Sequence, residues 1–232
     1  MITSPAPCVI AIDGPAASGK SSVARALARR LGFAYVNSGA FYRVATACVL
    51  ARGIDPTDAD AVAAALGGAE VVAGLRAENG GESFLQLDGH APTEEALRAA
   101  AVNAGVSAVA SVPAVRALLT ARLRALAEET APASGFPGTV MEGRDIGSAV
   151  FPHTPFKFYI DASAEVRAQR RAAQGGGQDE IAARDRTDST RRASPLLIAE
   201  DAHVIDSSRL TIDGVVGEII GRLKLKGFAI AP

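Results

Sequence analysis

Five short runs dominated by apolar residues punctuate the chain, at residues 8–13, 33–36, 139–142, 156–161 and 203–206. Four are nearly continuous rather than alternating, which is the pattern of strands buried on both faces of a parallel sheet. Between them lie stretches rich in Ala, Leu and Arg that read as helices. Start signals fall at Ser38, at Thr57 with Asp60, at Thr93 with Glu94 and Glu95, and at Ser163 before Ala164 and Glu165. The alternation predicts a doubly wound α/β fold with a parallel five-stranded core sheet between helical layers. Residues 69–89 break the rhythm: two β-type runs flank Asn79-Gly80-Gly81, a hairpin signature, so an antiparallel insert is expected there. A glycine run, Gln174-Gly175-Gly176-Gly177-Gln178, separates one helix bearing Arg167, Arg170 and Arg171 from another bearing Arg184.

Composition narrows this picture. A chain of 232 residues, 48% hydrophobic and 21% charged, suits one domain with a sizeable core and is too short for two large ones. The formal charge of −1 argues against a protein that coats a nucleic-acid polymer or an acidic membrane. Any bound anion must therefore meet locally gathered groups. The basic set is mostly Arg, with Lys only at positions 20, 157, 224 and 226, and Arg suits bidentate phosphate recognition. Codon bias in an Ala-rich chain also explains many arginines, and Arg29, Arg30 and Arg52 need no other account, so placement has to decide. Cys8 and Cys48 form no CxxC pair and have no His at metal-ligand spacing, as expected of reduced thiols in a cytoplasmic protein. The start of the chain lacks a positive n-region and its apolar run stops at Asp13, so neither a signal peptide nor a membrane span is expected.

The strongest motif follows the first run. Gly14, Pro15, Ala16, Ala17, Ser18, Gly19, Lys20 and Ser21 match G-x-x-x-x-G-K-[ST] between a predicted strand and a predicted helix, and Ser22 continues that helix. The glycines let successive N–H groups face inward as an anion cradle, and the helix N-terminus adds partial positive charge. Lys20 is expected at the β- and γ-phosphates of a nucleotide, and the Ser21 hydroxyl on Mg²⁺. Neither Asn-Lys-x-Asp nor Asp-x-x-Gly occurs, so a GTPase is disfavoured, and modest length favours a small kinase.

Ligands of open α/β sheets sit beyond the carboxyl ends of the strands. There the chain places Asn37-Ser-Gly-Ala-Phe-Tyr-Arg43 and Glu142-Gly-Arg-Asp-Ile-Gly147, while Arg184, Asp188 and Arg191 are spaced to share one helix face. Together with the phosphate loop, these segments closely resemble the bacterial-type cytidylate kinase family, in order and from about residue 8 to about residue 225. The resemblance implies a single P-loop domain over residues 1–232, with a nucleoside monophosphate-binding region at 38–112 that includes the insert, and a short lid at 167–192. It implies that Arg43, Arg144 and Arg191 grip the acceptor phosphate beside Ser38 and Tyr42. It further implies that Ser107, Arg116 and Asp145 read the cytosine and that Arg184 and Asp188 contact the sugar side; the two arginine-bearing helices joined by the glycine run read as a mobile lid, whose Arg167 and Arg171 are expected to act with Lys20 on the transferred group. ATP, Mg²⁺ and CMP or dCMP are the implied ligands, and a monomer is expected. Asn37 departs from the Asp usual in that family. Two alternatives stay open: another small P-loop kinase, acting on UMP, another monophosphate or a metabolite hydroxyl, and a nucleotide-binding regulatory protein without an acceptor.

Overall fold

A computed structural model describes residues 8–76, 80–133, 135–173 and 178–228. Strand β1 (Val9–Asp13) is buried throughout and central, pairing in parallel with β5 (Thr139–Gly143) on one side and β6 (Phe156–Asp161) on the other. Its side chains alternate between two cores. Val9 and Ala11 face one apolar cluster, Ile10 and Ile12 the other, so a continuous apolar run is what two buried faces require. Helices α1 (Lys20–Leu31) and α9 (Ile212–Leu225) pack on the second face. The first face is covered by α2 (Ser38–Ala51), α3 (Ala59–Gly67), α5 (Ala100–Val109) and the long α6 (Pro113–Ala133). The short α4 (Glu94–Arg98) runs along the surface before α5.

The sheet has seven strands, in the order β3-β4-β2-β5-β1-β6-β7, with β2 at Ala34–Asn37 and β7 at His203–Asp206. The five expected core strands are all present. The expected hairpin forms too, as β3 (Val71–Arg76) and β4 (Glu82–Leu87) in antiparallel register from Val71↔Leu87 to Arg76↔Glu82. It is not a separate antiparallel unit, however. Strand β4 lies parallel to β2 through Tyr35↔Glu82, and Tyr35 N–H donates to Gly81 O at 3.1 Å, so the insert extends the core sheet. Asn79 of the turn lies outside the described residues. Gly81 has φ 77°, and a Cβ there would come within 2.5 Å of the Phe136 ring, so only glycine fits beneath that ring.

Two helix starts shift from their expected residues. Asn37, not Ser38, caps α2 by accepting the Ala40 N–H at 3.0 Å, and Asp58, not Thr57, caps α3 through Ala61 N–H at 3.0 Å. Asn and Asp cap equally well, so the departure at Asn37 preserves the start of α2. Thr93 and Ser163 cap α4 and α7 (Ala164–Ala172) as expected. Residues 174–177 of the glycine run lie outside the described residues, and α8 follows at Gln178–Thr190. Both cysteines are free thiols. Among the described residues no single helix is long and apolar enough to cross a membrane.

Candidate active site

The turn from β1 into α1 is shaped by sterics. A Cβ on Gly14 would lie 2.1 Å from the Ile160 carbonyl oxygen, so the loop can press against β6 only with glycine there. Gly19 (φ 92°) precedes α1 without a side-chain cap, and Ala17 takes a left-handed φ of 58°. Such local strain is stored at functional sites. With no side-chain cap on α1, its first N–H groups are able to take an external acceptor. Lys20 is 7% exposed, and its Nζ donates to Pro15 O at 3.0 Å. Burial, reinforced by the charges of Arg144 and Arg184, lowers its pKa to about 7. An incoming polyphosphate would stabilise the ammonium that burial disfavours.

Asp13 ends β1 and organises the opposite wall. Its carboxylate accepts from Ile146 N–H at 2.8 Å and Gly147 N–H at 2.7 Å, pinning the π-helical turn Ile146–Val150 that follows Arg144 and Asp145. Burial still dominates and raises its pKa to about 7. At the end of β5, Glu142 is buried and accepts from the Tyr35 hydroxyl at 3.1 Å, while Ser38 Oγ donates to Glu142 O at 2.8 Å. A Cβ on Gly143 would meet that Ser38 oxygen at 2.5 Å, so glycine lets α2 approach β5.

Beyond these strand ends lies a dense cluster of charge. Arg116, from α6, makes a short buried ion pair with Asp145 and lies over the Tyr42 ring at 5.3 Å. Arg191 lies 3.5 Å from Asp145 and 3.6 Å from Asp188. Asp188 also accepts from Arg144 Nε at 2.9 Å and from Ser107 Oγ at 3.0 Å. Burial pulls the Asp188 carboxyl upward, but Arg144, Arg184 and Arg191 together outweigh it and hold its pKa below the ordinary value. Burial, with Arg144 and Arg43 beside it, lowers Arg184 to about 9, so it remains charged at neutral pH. Its Nε has no hydrogen-bond partner among the described residues. Arg43 donates to Leu97 O at 2.7 Å and is depressed by burial and by the neighbouring Arg171 and Arg144. The guanidiniums of Arg43, Arg116, Arg144, Arg184 and Arg191 thus outnumber the carboxylates of Asp145 and Asp188. Such an excess suits a dianion.

Most of the expected site residues converge on this cleft, and Arg191 keeps to the Asp188 face although it lies just past α8, because its N–H still bonds Thr187 O at 3.1 Å. Ser22 is exposed, on the outer side of α1. Three residues that reach the site are given no role by the family resemblance: Asp13, Glu142 and Asp185. The first two carry a visible signal, since each is an ionisable residue closing an apolar strand. Asp185 lies one residue from Arg184 and is overshadowed by Asp188, whose spacing matches the arginine face.

A glycine-shaped anion cradle with a buried lysine, set beside guanidiniums at the same sheet edge, is able to bring two phosphates together under positive charge. Fold and site together define a P-loop phosphotransferase. The family model for cytidylate kinase matches residues 10–225. A cytidylate kinase from Rhodococcus opacus (strain B4) is 47% identical over 222 residues, covering 91% of this chain and 93% of the relative. One from Nocardia farcinica (strain IFM 10152) is 44% identical over 223 residues, covering 92% of each. Among solved structures, a gluconokinase from Sinorhizobium meliloti 1021 aligns with TM-score 0.49 and 14% identity over 96% of this chain and 95% of that one. The chain belongs to the cytidylate kinase family.

Proposed function

We propose that the protein transfers the γ-phosphoryl group of ATP to the phosphate of CMP, giving ADP and CDP, with dCMP as a second acceptor. The observation that carries this reading is the buried Arg116–Asp145 pair inside a cationic cluster whose members Arg144 and Arg184 also bear on Lys20. A carboxylate can accept from the exocyclic amine of cytosine, which uracil lacks, and a guanidinium can donate to the ring's carbonyl oxygen and nitrogen. In this reading Ser107, Arg116 and Asp145 read the base, while Arg184 and Asp188 meet the sugar side. Arg43, Arg144 and Arg191 hold the acceptor phosphate beside Ser38 and Tyr42. The region 38–112 receives the monophosphate and 167–192 acts as the lid.

No general base is needed, because a phosphate monoester has a second pKa of about 6 and its oxygen is already ionised near neutrality. Catalysis is positioning and charge neutralisation: Lys20 and the loop amides hold the donor, and Arg167 and Arg171 neutralise charge on the transferred group. Among the described residues no three His, Cys, Asp or Glu side chains cluster as a metal cage. Mg²⁺ keeps waters and phosphate oxygens as most of its ligands, so a single protein hydroxyl suits it, and Ser21 in the first turn of α1 would supply that hydroxyl. When bound, it would neutralise phosphate charge. An acceptor panel with ATP tests the reading: CMP and dCMP should outrun UMP, AMP, GMP and shikimate in ADP production. CMP outside the best acceptors would overturn it.

A further inference from the structure

Asp185 turns away from the acceptor cluster that its neighbours Arg184 and Asp188 join. Its Oδ1 accepts from Ala16 N–H at 2.9 Å, inside the phosphate loop, and its Oδ2 makes a short ion pair with Arg167 Nη1. That same Nη1 donates to Ala16 O at 3.2 Å. The carboxylate, the guanidinium and one peptide residue of the loop therefore close a ring joining the loop to both α7 and α8. The two side chains are 18% and 17% exposed, so solvent weakens the pair less than it does a surface ion pair.

We propose that Asp185 is a positioning residue that seats Arg167 against the phosphate loop, so that the lid guanidinium meets the transferring phosphoryl group already oriented. The inference rests on the kinase reading above. An Arg side chain free to rotate loses rotamer freedom each time the lid closes. A carboxylate that fixes one edge of the guanidinium removes that loss and leaves the other edge for phosphate oxygens. The loop amide matters equally: it ties the carboxylate to the cradle itself, so Arg167 is registered to the donor phosphates rather than merely to its own helix. Neighbouring Arg170 reinforces the register from the far side, donating to Ser18 O at 3.0 Å and to Ser207 O at 2.8 Å.

The test is a double-mutant cycle in the full-length protein. Asp185→Asn keeps the shape and an acceptor for Ala16 N–H but loses the ion pair. It should lower kcat by about tenfold to hundredfold, the scale of a misplaced catalytic group, with KM for CMP nearly unchanged. The Arg167→Ala/Asp185→Asn double variant should be no slower than Arg167→Ala alone, because the carboxylate acts only through that guanidinium. Additive losses would overturn the proposal, as would an Asn variant with unchanged kcat and tighter ATP, which would make the carboxylate a competitor for the cradle. If Asp185→Asn melts early, Arg167→Ala and Arg167→Ala/Asp185→Asn compared below the melt still discriminate, because Asn keeps the acceptor for Ala16 N–H: equal rates support the proposal and a slower double variant overturns it. A wild type without CMP-dependent ATP consumption would instead overturn the function itself.

Discussion

In the proposed reaction the phosphate loop meets anions with backbone amides and one ammonium, whereas the floor opposite meets them with guanidiniums, and burial acts on the two differently. Desolvation brings Lys20 down to about 7, within reach of physiological pH. The same environment leaves Arg184 charged, since burial lowers it only to about 9. A lysine is thus a charge that completes itself when the donor arrives, while the arginine bed is positive from the start and is held apart by Asp145 and Asp188. A chain short of lysine places one in the cradle, where a compact ammonium that shifts its pKa readily on burial can take up its proton as an anion binds.

Removing the lysine is the largest expected break. Lys20→Ala should cut CMP-dependent ADP production by about 10²- to 10³-fold, on the scale of losing one preorganised charged donor. A melting temperature equal to or above the wild type should accompany the loss, because a buried ammonium is costly in the free protein. Near-normal turnover would remove the loop from the mechanism.

Asp145 probes the other side. Asp145→Asn keeps the size but adds an N–H donor that can serve the O4 of uracil, so the ratio of kcat/KM for CMP over UMP should fall by about tenfold or more. An unchanged ratio would move base reading elsewhere in the cluster.

The two sides also differ in how far the sequence reveals them. The cradle is local: eight consecutive residues between a strand and a helix carry its whole geometry, so Gly14 through Ser21 can be read directly. The floor is assembled from α2, α5, α6, the end of β5 and the end of α8, and the Arg116–Asp145 and Ser107–Asp188 contacts span 29 and 81 residues. Spacing puts Arg184, Asp188 and Arg191 on one face but does not say what that face meets; the family resemblance supplies it. The sheet shows the same division. Five strands are legible from apolar runs, while the docking of β4 onto β2, at Tyr35↔Glu82 and through Asn37 N–H to Ser83 Oγ 46 residues away, is encoded by no local pattern. Asp13 reads locally as the stop of a strand, because its partners, the Ile146 and Gly147 amides, lie 133 and 134 residues away.

The titration of Lys20 sharpens the contrast. In the free protein it loses its proton as pH rises through about 7, and bound polyphosphate should return the pKa toward its ordinary value. ATP binding at pH 8 should therefore take up close to one proton, and affinity should fall by up to about tenfold per pH unit above 7. Calorimetry in buffers of different ionisation enthalpy reads the uptake. For folding the sign is opposite to that of a stabilised cation: above pH 7 the unfolded chain binds this proton and the folded one does not, so Lys20 makes stability rise with pH up to its ordinary pKa near 10.5. Asp13, raised to about 7, acts below that window and makes stability fall as pH climbs from its ordinary 3.8 toward 7. Lys20→Arg, which holds its charge throughout, should abolish the uptake at pH 8.

Arg52 offers the smallest effect and the cleanest control on the arginine bed. Sequence reasoning leaves it as a solvated surface residue, yet it ties α2 to the end of α3 through Ala65 O and to the hairpin through Asp88. Asp88 itself takes a left-handed φ of 50° and accepts from Glu70 N–H at 2.8 Å, so the arginine fastens a turn that is already formed. Both side chains are more than a third exposed, which limits such a pair to about 1 kcal/mol or less. Arg52→Ala should lower stability in urea by no more than that, with kcat and both KM values at wild-type level. A loss of turnover comparable to that of the cleft variants would mean that the hairpin edge and the active site are coupled, and that the contrast between a functional and a structural arginine cannot be drawn from burial and partners alone.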